Sequence, residues 1–200
     1  MRLVLTCCLS LLLSAPPALA SLADQVRFLD TWSELNSWDL GGVQPLDFAQ
    51  TLDKKFVFVL GQDGGIHIYS AVGEQLGTIR TGSQPISFAI EARGRMLHLV
   101  DRSGACTAVS VSLAGGSLDW SVLKTWKTAA RPIDIATAHE RQRVFILEAD
   151  NAVHVYSFAG MPLGSIAAPP GTFSIKTVPY SRKLYLAARN GIFTGMESPF

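Results

Sequence analysis

The sequence predicts an all-β fold made of four repeats of one four-stranded antiparallel unit. Three observations carry this. Short alternating apolar runs, rich in β-branched and aromatic residues, are bounded by Gly, Pro, Asn and Asp, the signature of strands and turns. The runs recur in register: their opening motifs are Pro45-Leu-Asp-Phe-Ala, Pro85-Ile-Ser-Phe-Ala, Pro132-Ile-Asp-Ile-Ala and Thr172-Phe-Ser-Ile-Lys, spaced 40, 47 and 40 residues apart. The composition, 48% hydrophobic with only 16% charged, suits a packed core and excludes disorder.

The clearest copy is Pro132–Gly171. Its first strand is Pro132-Ile-Asp-Ile-Ala, its second Val144-Phe-Ile-Leu, its third Val153-His-Val-Tyr and its fourth Leu163-Gly-Ser-Ile. Asp150-Asn151 closes the second strand onto the third, because both side chains tolerate positive φ. The second strands of the four repeats are Phe56–Leu60, Met96–Val100, Arg143–Leu147 and Lys183–Ala187. Third strands start at Ile66, Cys106, Val153 and Phe193. The longer second repeat places its extra residues in Leu113–Ser121, read as a Gly-rich loop between its third and fourth strands. A four-stranded antiparallel unit repeating at about 40–45 residues is the pattern of a β-propeller blade. A blade covers its faces only with neighbouring blades, which explains strands that are apolar on both sides.

Met1–Ala20 reads as a secretory signal peptide: Arg2, then the apolar run Leu3–Leu13, then Ala18-Leu19-Ala20 as a cleavage site. The run is too short for a membrane span. Cys7 and Cys8 lie inside it rather than after it, so lipoprotein processing is not expected. The expected mature chain is one propeller domain, Ser21–Phe200, in the periplasm or outside the cell. Without Arg2 it carries sixteen basic and sixteen acidic residues. That balance argues against nucleic acid or an anionic membrane surface as the main partner. Cys106 is then the only cysteine, which excludes an intrachain disulfide; it reads as a small buried residue at a strand start.

Val26-Arg-Phe-Leu-Asp-Thr-Trp32 parallels Val122-Leu-Lys-Thr-Trp126, the fourth strand of the second repeat. The last repeat lacks a fourth strand of its own. The N-terminal strand is therefore expected to complete the last blade and close a four-blade ring, removing exposed edges. The alternative assembly is a homodimer, two half-propellers joined as an eight-blade ring.

The strand–turn–strand stretch from Arg143 to Tyr156, followed by Gly160-Met-Pro-Leu-Gly-Ser-Ile, is matched by Phe56 to Tyr69. These stretches resemble NHL- and YVTN-type propeller repeats over most of Pro45–Gly195. The resemblance implies a binding or scaffolding platform more readily than an enzyme. Members of that group usually have six or seven blades, and this chain offers four.

Repeats one and three agree with each other best. Asp47, His67, Tyr69, Gly73 and Leu76 recur 87 residues later as Asp134, His154, Tyr156, Gly160 and Leu163. Repeats two and four share Ser87 with Ser174 and Thr107 with Thr194, so the chain reads as a duplicated pair of blades. Asp47 and Asp134 lie in first strands, innermost in a blade, where oxygen ligands around an axis could hold a divalent cation; hydrogen bonding between blades is the plainer reading. His67 and His154 lack a third ligand at a telling spacing and read as paired structural positions. His98 falls in a second strand and His139 in a polar turn. No G-x-S-x-G surrounds Ser33, Ser37 or Ser83, and Gly41-Gly42 and Gly115-Gly116 belong to no phosphate-binding motif. No catalytic residue and no resident cofactor are predicted.

Loops leading into first strands and loops joining second to third strands fall on one end of a propeller. That end gathers Gln44, Asp63, Gln84, Asp101, Arg102, Arg131, Glu148, Asp150, Arg189 and Asn190, with Trp38 in the preceding Ser33–Gln44 loop. Mixed charges around an aromatic side chain suit recognition of a protein or a small ligand. Trp32, Trp120 and Trp126 are expected to pack outer strands. The sequence therefore points to an exported, non-catalytic binding or assembly module, with an axial-cation site or a hydrolase- or lyase-type propeller enzyme as the alternative.

Overall fold

The structure is a computed structural model and describes residues 37–114 and 117–197. Two compact units divide the chain, Met1–Trp38 and Asp39–Phe200, and the second holds every strand described below. Blade 1 is β1 (Pro45–Gln50), β2 (Phe56–Gly61), β3 (Ile66–Ser70) and β4 (Gln75–Ile79). Blade 2 is β5 (Pro85–Ile90), β6 (Met96–Asp101), β7 (Ala105–Ala114) and β8 (Ser117–Lys127). Blade 3 is β9 (Pro132–Ala138), β10 (Arg143–Glu148), β11 (Ala152–Ser157) and β12 (Pro162–Ala167). Blade 4 is β13 (Thr172–Thr177), β14 (Lys183–Ala188) and β15 (Phe193–Glu197). Each blade is an antiparallel sheet whose strands pair in chain order. The fold is a four-blade β-propeller, as the repeats predict. The signal segment and the closing strand Val26–Trp32 lie outside the described residues.

Local chemistry sets the turns. At the β2–β3, β6–β7, β10–β11 and β14–β15 turns one residue must take positive φ: Gly64 (75°), Gly104 (80°), Asn151 (60°) and Gly191 (83°). Glycine takes that conformation without a Cβ penalty, and asparagine tolerates it. Each turn is also held by a side-chain oxygen that accepts from a backbone N–H two residues on: Asp63 from Gly65, Asp101 from Ser103, Asp150 from Ala152 and Asn190 from Ile192.

The expected loop at Leu113–Ser121 is instead a lengthened hairpin. Val111 pairs with Trp120 and Leu113 with Leu118, so the extra residues extend β7 and β8 and only 115 and 116 separate them. The alternation Val109, Val111, Leu113 continues the strand pattern up to the glycines, and these side chains pack with Leu118 and Trp120 on one core. Leu118 reaches blade 1, where a Cβ on Gly77 would stand 2.7 Å from its side chain. Glycine at that point of β4 admits the arm.

Three apolar clusters fill the three blade junctions. The first joins Phe58, Leu60, Ile66 and Ile68 of blade 1 to Phe88, Leu97, Leu99 and Val109 of blade 2. The second joins Val100 and Cys106 to Ile135, Val144, Ile146 and Tyr156, with Trp126 against them. The third joins Phe145, Leu147, Val153 and Val155 to Ile175, Leu184 and Leu186. Cys106 is wholly buried, as expected, and Trp120 and Trp126 pack against the first and second clusters. The first strands stand side by side as the inner wall, β1 beside β5, β5 beside β9 and β9 beside β13. Among the described residues β1 and β13 share no comparable interface.

Candidate functional site

Pleated backbone geometry brings the predicted loops to one end. Gln62 N–H donates to the Gln44 carbonyl, Ala149 N–H to that of Arg131 and Arg189 N–H to that of Gly171, each at 2.9–3.0 Å. These bonds seat the loop into each first strand beside the turn between second and third strands. Gln44, Asp63, Gln84, Arg102, Arg131, Asp150, Arg189 and Asn190 are exposed there, and Asp101 is half-buried. Trp38 belongs to the first compact unit and is half-buried.

Glu148 does not belong to this rim. It is fully buried, with the Ala130 N–H donating to Oε2 and the Tyr156 hydroxyl donating to Oε1 at 3.3 Å. Burial pushes its carboxyl upward, offset by the Ala130 bond and by His154. Its position at the end of β10, one residue short of the turn, points it into the blade 2–blade 3 junction.

The turn carboxylates are engaged internally. Asp63 accepts from Gly65 N–H and from Arg80 Nη2 (2.5 Å), and it stands 3.1 Å from His67 Nε2. Partial burial pushes this carboxyl up, but the bonds from His67, Arg80 and Gly65 outweigh it and hold it at about 2. His67 Nδ1 lies 3.1 Å from Thr78 Oγ1, so the histidine ties the turn to the outer strand β4. Blade 3 repeats the link: Asp150 Oδ2 stands 2.8 Å from His154 Nε2, and that bond lowers the Asp150 carboxyl. Here Ala167 replaces Arg80 and Glu148 replaces Gly61, so Glu148, Asp150 and His154 converge within 4.8 Å as the group with metal-ligand chemistry among the described residues. The Asp–His pairing is legible in the sequence as two i, i+4 pairs 87 residues apart, Asp63–His67 and Asp150–His154. Turn acids and strand histidines taken separately do not reveal it.

The rim's arginines are differently placed. The side chains of Arg102 and Arg131 make no hydrogen bond or ion pair among the described residues. Arg189 lies 5.9 Å above the Phe173 ring. In blade 1, an open polar pocket of about 590 Å³ is lined by Leu40–Gln44, Asp63, His67, Thr78 and Arg80.

Asp47 and Asp134 lie on the inner wall and are linked through one serine. Ser87 donates to Asp134 Oδ1 at 2.7 Å and stands 3.3 Å from Asp47 Oδ2. Asp134 Oδ2 accepts from Ser174 Oγ and Ile175 N–H, both at 2.8 Å. Both Asp134 oxygens are thus occupied by blade-to-blade bonds. Asp47 is more open; burial pushes its carboxyl up, with Lys176 pulling the other way.

At the opposite end, a cleft of about 950 Å³ between Leu52–Phe56, Ala92–Arg95 and Val111–Leu113 includes Tyr180. No sequence motif marks it. Among the described residues no helix is long and apolar enough to cross a membrane.

No protein-family model matches the chain, and no curated protein matches it in sequence. Solved structures do match. The RRP9 WD40 repeats align at 16% identity and a TM-score of 0.64, over 80% of this chain and 50% of that one. BBS1N, solved in complex with ARL6DN, aligns at 18% identity and 0.57, over 76% and 50%. Kuenenia stuttgartiensis hydrazine synthase aligns at 14% and 0.61, over 83% and 49%. These likenesses show the propeller fold. The chain spans about half the length of the structures it matches. WD40 repeats and a protein held in a complex stand among the neighbours beside an enzyme, so chemistry must be read from the site.

Proposed function

We propose that this protein is an exported, non-catalytic β-propeller of the NHL/YVTN repeat type that binds a protein partner through the turn end of its blades. One observation carries this: the rim carboxylates are engaged in turn-building bonds, while Arg102, Arg131 and Arg189 hold their charge outward on a rigid scaffold. Guanidinium groups presented this way recognise carboxylates with bidentate geometry. The partner surface is therefore acidic. A neighbour of the same fold that was solved in complex with another protein supports the reading. The segment Met1–Ala20 supports export to the periplasm or beyond, and a homodimer belongs to the same assembly role.

The test is photo-crosslinking from a probe placed at position 131 of the exported protein, with and without the charge reversals R102E and R189E. The expected result is a crosslinked partner with an acidic contact surface. That product is lost on R102E/R189E and retained with R93E/R95E at the opposite end. Crosslinking that ignores the rim charges overturns the reading.

A further inference from the structure

Each inner strand carries one apolar residue at the same register position: Phe48 in β1, Phe88 in β5, Ile135 in β9 and Ile175 in β13. The last three face the preceding blade and are at most 2% exposed, whereas Phe48 is 73% exposed. Each third strand carries a matching residue: Ile66, Cys106, Val153 and Phe193. The first three face the following blade and are at most 1% exposed, whereas Phe193 is 69% exposed. Within the chain these positions share junction clusters as pairs: Ile66 with Phe88, Cys106 with Ile135, Val153 with Ile175. The next pair in the series is Phe193 with Phe48. Among the described residues nothing brings them together.

A polar series runs along the same wall. Asp47, Ser87, Asp134 and Ser174 are equivalent residues of β1, β5, β9 and β13, and they alternate carboxylate and hydroxyl across three junctions. Ser174 ends the series at an open face. Asp47 at the other open face would set a carboxylate beside Ser174, the neighbour relation that Ser87 has with Asp47 at 3.3 Å. The two faces are complementary in their apolar pair, and they continue the carboxylate–hydroxyl alternation of the wall.

We propose that two copies of this chain join through these faces, blade 4 of each against blade 1 of the other, as an eight-blade ring. The occupant is a second copy because each contact would continue an interface the chain already builds three times. A head-to-tail contact closes when the rotation allows it and otherwise grows into a filament. The structures this chain matches are about twice the length of its aligned part, a length that two copies supply. Eight blades also preserve the Asp–Ser alternation, which an odd number would break. The proposal deepens the assembly role above but uses the open flanks of the blades rather than the arginine rim.

The test is the absolute mass of the full chain by light scattering over about a hundredfold concentration range, for the wild type, F48D and F193K. Both side chains are mostly exposed; within one copy F193K gives up a surface ring stack on Tyr185 at 5.5 Å. The expected result is a two-chain mass for the wild type and a one-chain mass for each variant, with the native β circular dichroism retained. An equimolar mixture of F48D and F193K should recover a two-chain mass. One junction then sets the two introduced, opposite charges against each other, and the other keeps Phe48 against Phe193. A one-chain mass for the wild type at every concentration overturns the proposal. So does a two-chain mass that survives both substitutions, or a mixture that stays monomeric. Rim crosslinking that persists in F48D separates failure here from failure of the partner-binding reading.

Discussion

Ser87 reaches from blade 2 to Asp134 of blade 3 at 2.7 Å, and Asp134 in turn accepts from Ser174 of blade 4. One buried carboxylate therefore fastens three consecutive blades. Removing it strands several donors where water is scarce, a loss that exceeds the value of one bond. Asp134→Ala should lower stability by about 3 kcal/mol, and Asp47→Ala, at a more open position, by less than about 1 kcal/mol. Urea unfolding of both variants checks the ordering. Metal analysis of Asp47→Asn checks the cation alternative: a drop in bound divalent metal would favour it over a purely structural role.

Gly160 isolates a steric effect. Its φ is 75°, and a Cβ there would sit 2.5 Å from the Trp126 ring. Gly171 has a similar φ of 77° with nothing within 4 Å. Gly171→Ala should cost about 1 kcal/mol, from the left-handed backbone alone. Gly160→Ala should cost about 1–3 kcal/mol more, from overpacking against the indole. Thermal melts of the pair read the difference directly.

His98 should make the fold acid-sensitive. Burial holds its imidazole down at about 4, with a single bond to the Phe158 carbonyl pulling the other way. A depressed value means the folded state binds fewer protons than the unfolded chain near pH 5. Stability is then complete above the ordinary value of about 6.5 and is lost as pH falls toward 4. His98→Leu should flatten the melting temperature between those limits.

Asp63 and Asp150 act lower on the scale. At Asp63 partial burial is outweighed by the bonds from His67, Arg80 and Gly65, which hold the carboxyl at about 2; Asp150 is lowered chiefly by His154. Their contribution is present above the ordinary carboxylate range and fades as pH falls through it. Both groups face solvent, so the effect is small and screened by salt. Asp63→Asn should weaken the acid limb of the stability curve at low salt and leave it unchanged at high salt.

Cys106 should be inert while the chain is folded. It is wholly buried, and burial raises its thiol well above the ordinary value, with Asp101 and Glu148 adding to that. Thiol titration should give no reaction in buffer and one equivalent in denaturant, for a chain lacking Met1–Ala20. Rapid reaction in buffer would contradict the closed blade 2–blade 3 junction.

The strands were legible in the sequence because alternation and turn residues are local properties. Pro45, Pro85, Pro132 and Thr172 each open a strand where the repeat places one. The 87-residue recurrence marked a turn link that does repeat, Asp63–His67 and Asp150–His154, and an aspartate, Asp47 and Asp134, that is buried in only one of its two copies. The Leu113–Ser121 segment reads as a loop because two glycines signal one, while the pairing of Leu113 with Leu118 depends on a blade 1 surface that no local pattern displays. Glu148 misleads for a related reason: a charged residue beside a turn looks exposed until its register on β10 turns it inward.

Residue order alone thus determined the repeat, the blade and the end on which its loops gather, since these follow from chain periodicity and turn chemistry. Tertiary structure decided which charges remain available, because hydrogen bonds engage Asp63, Asp134 and Asp150 while leaving the guanidinium groups of Arg102 and Arg131 outside. It also decided that Phe48 and Phe193 stand open. Equivalent residues in one repeat series differ only by having, or lacking, a neighbouring blade, and burial is a property of neighbours rather than of sequence.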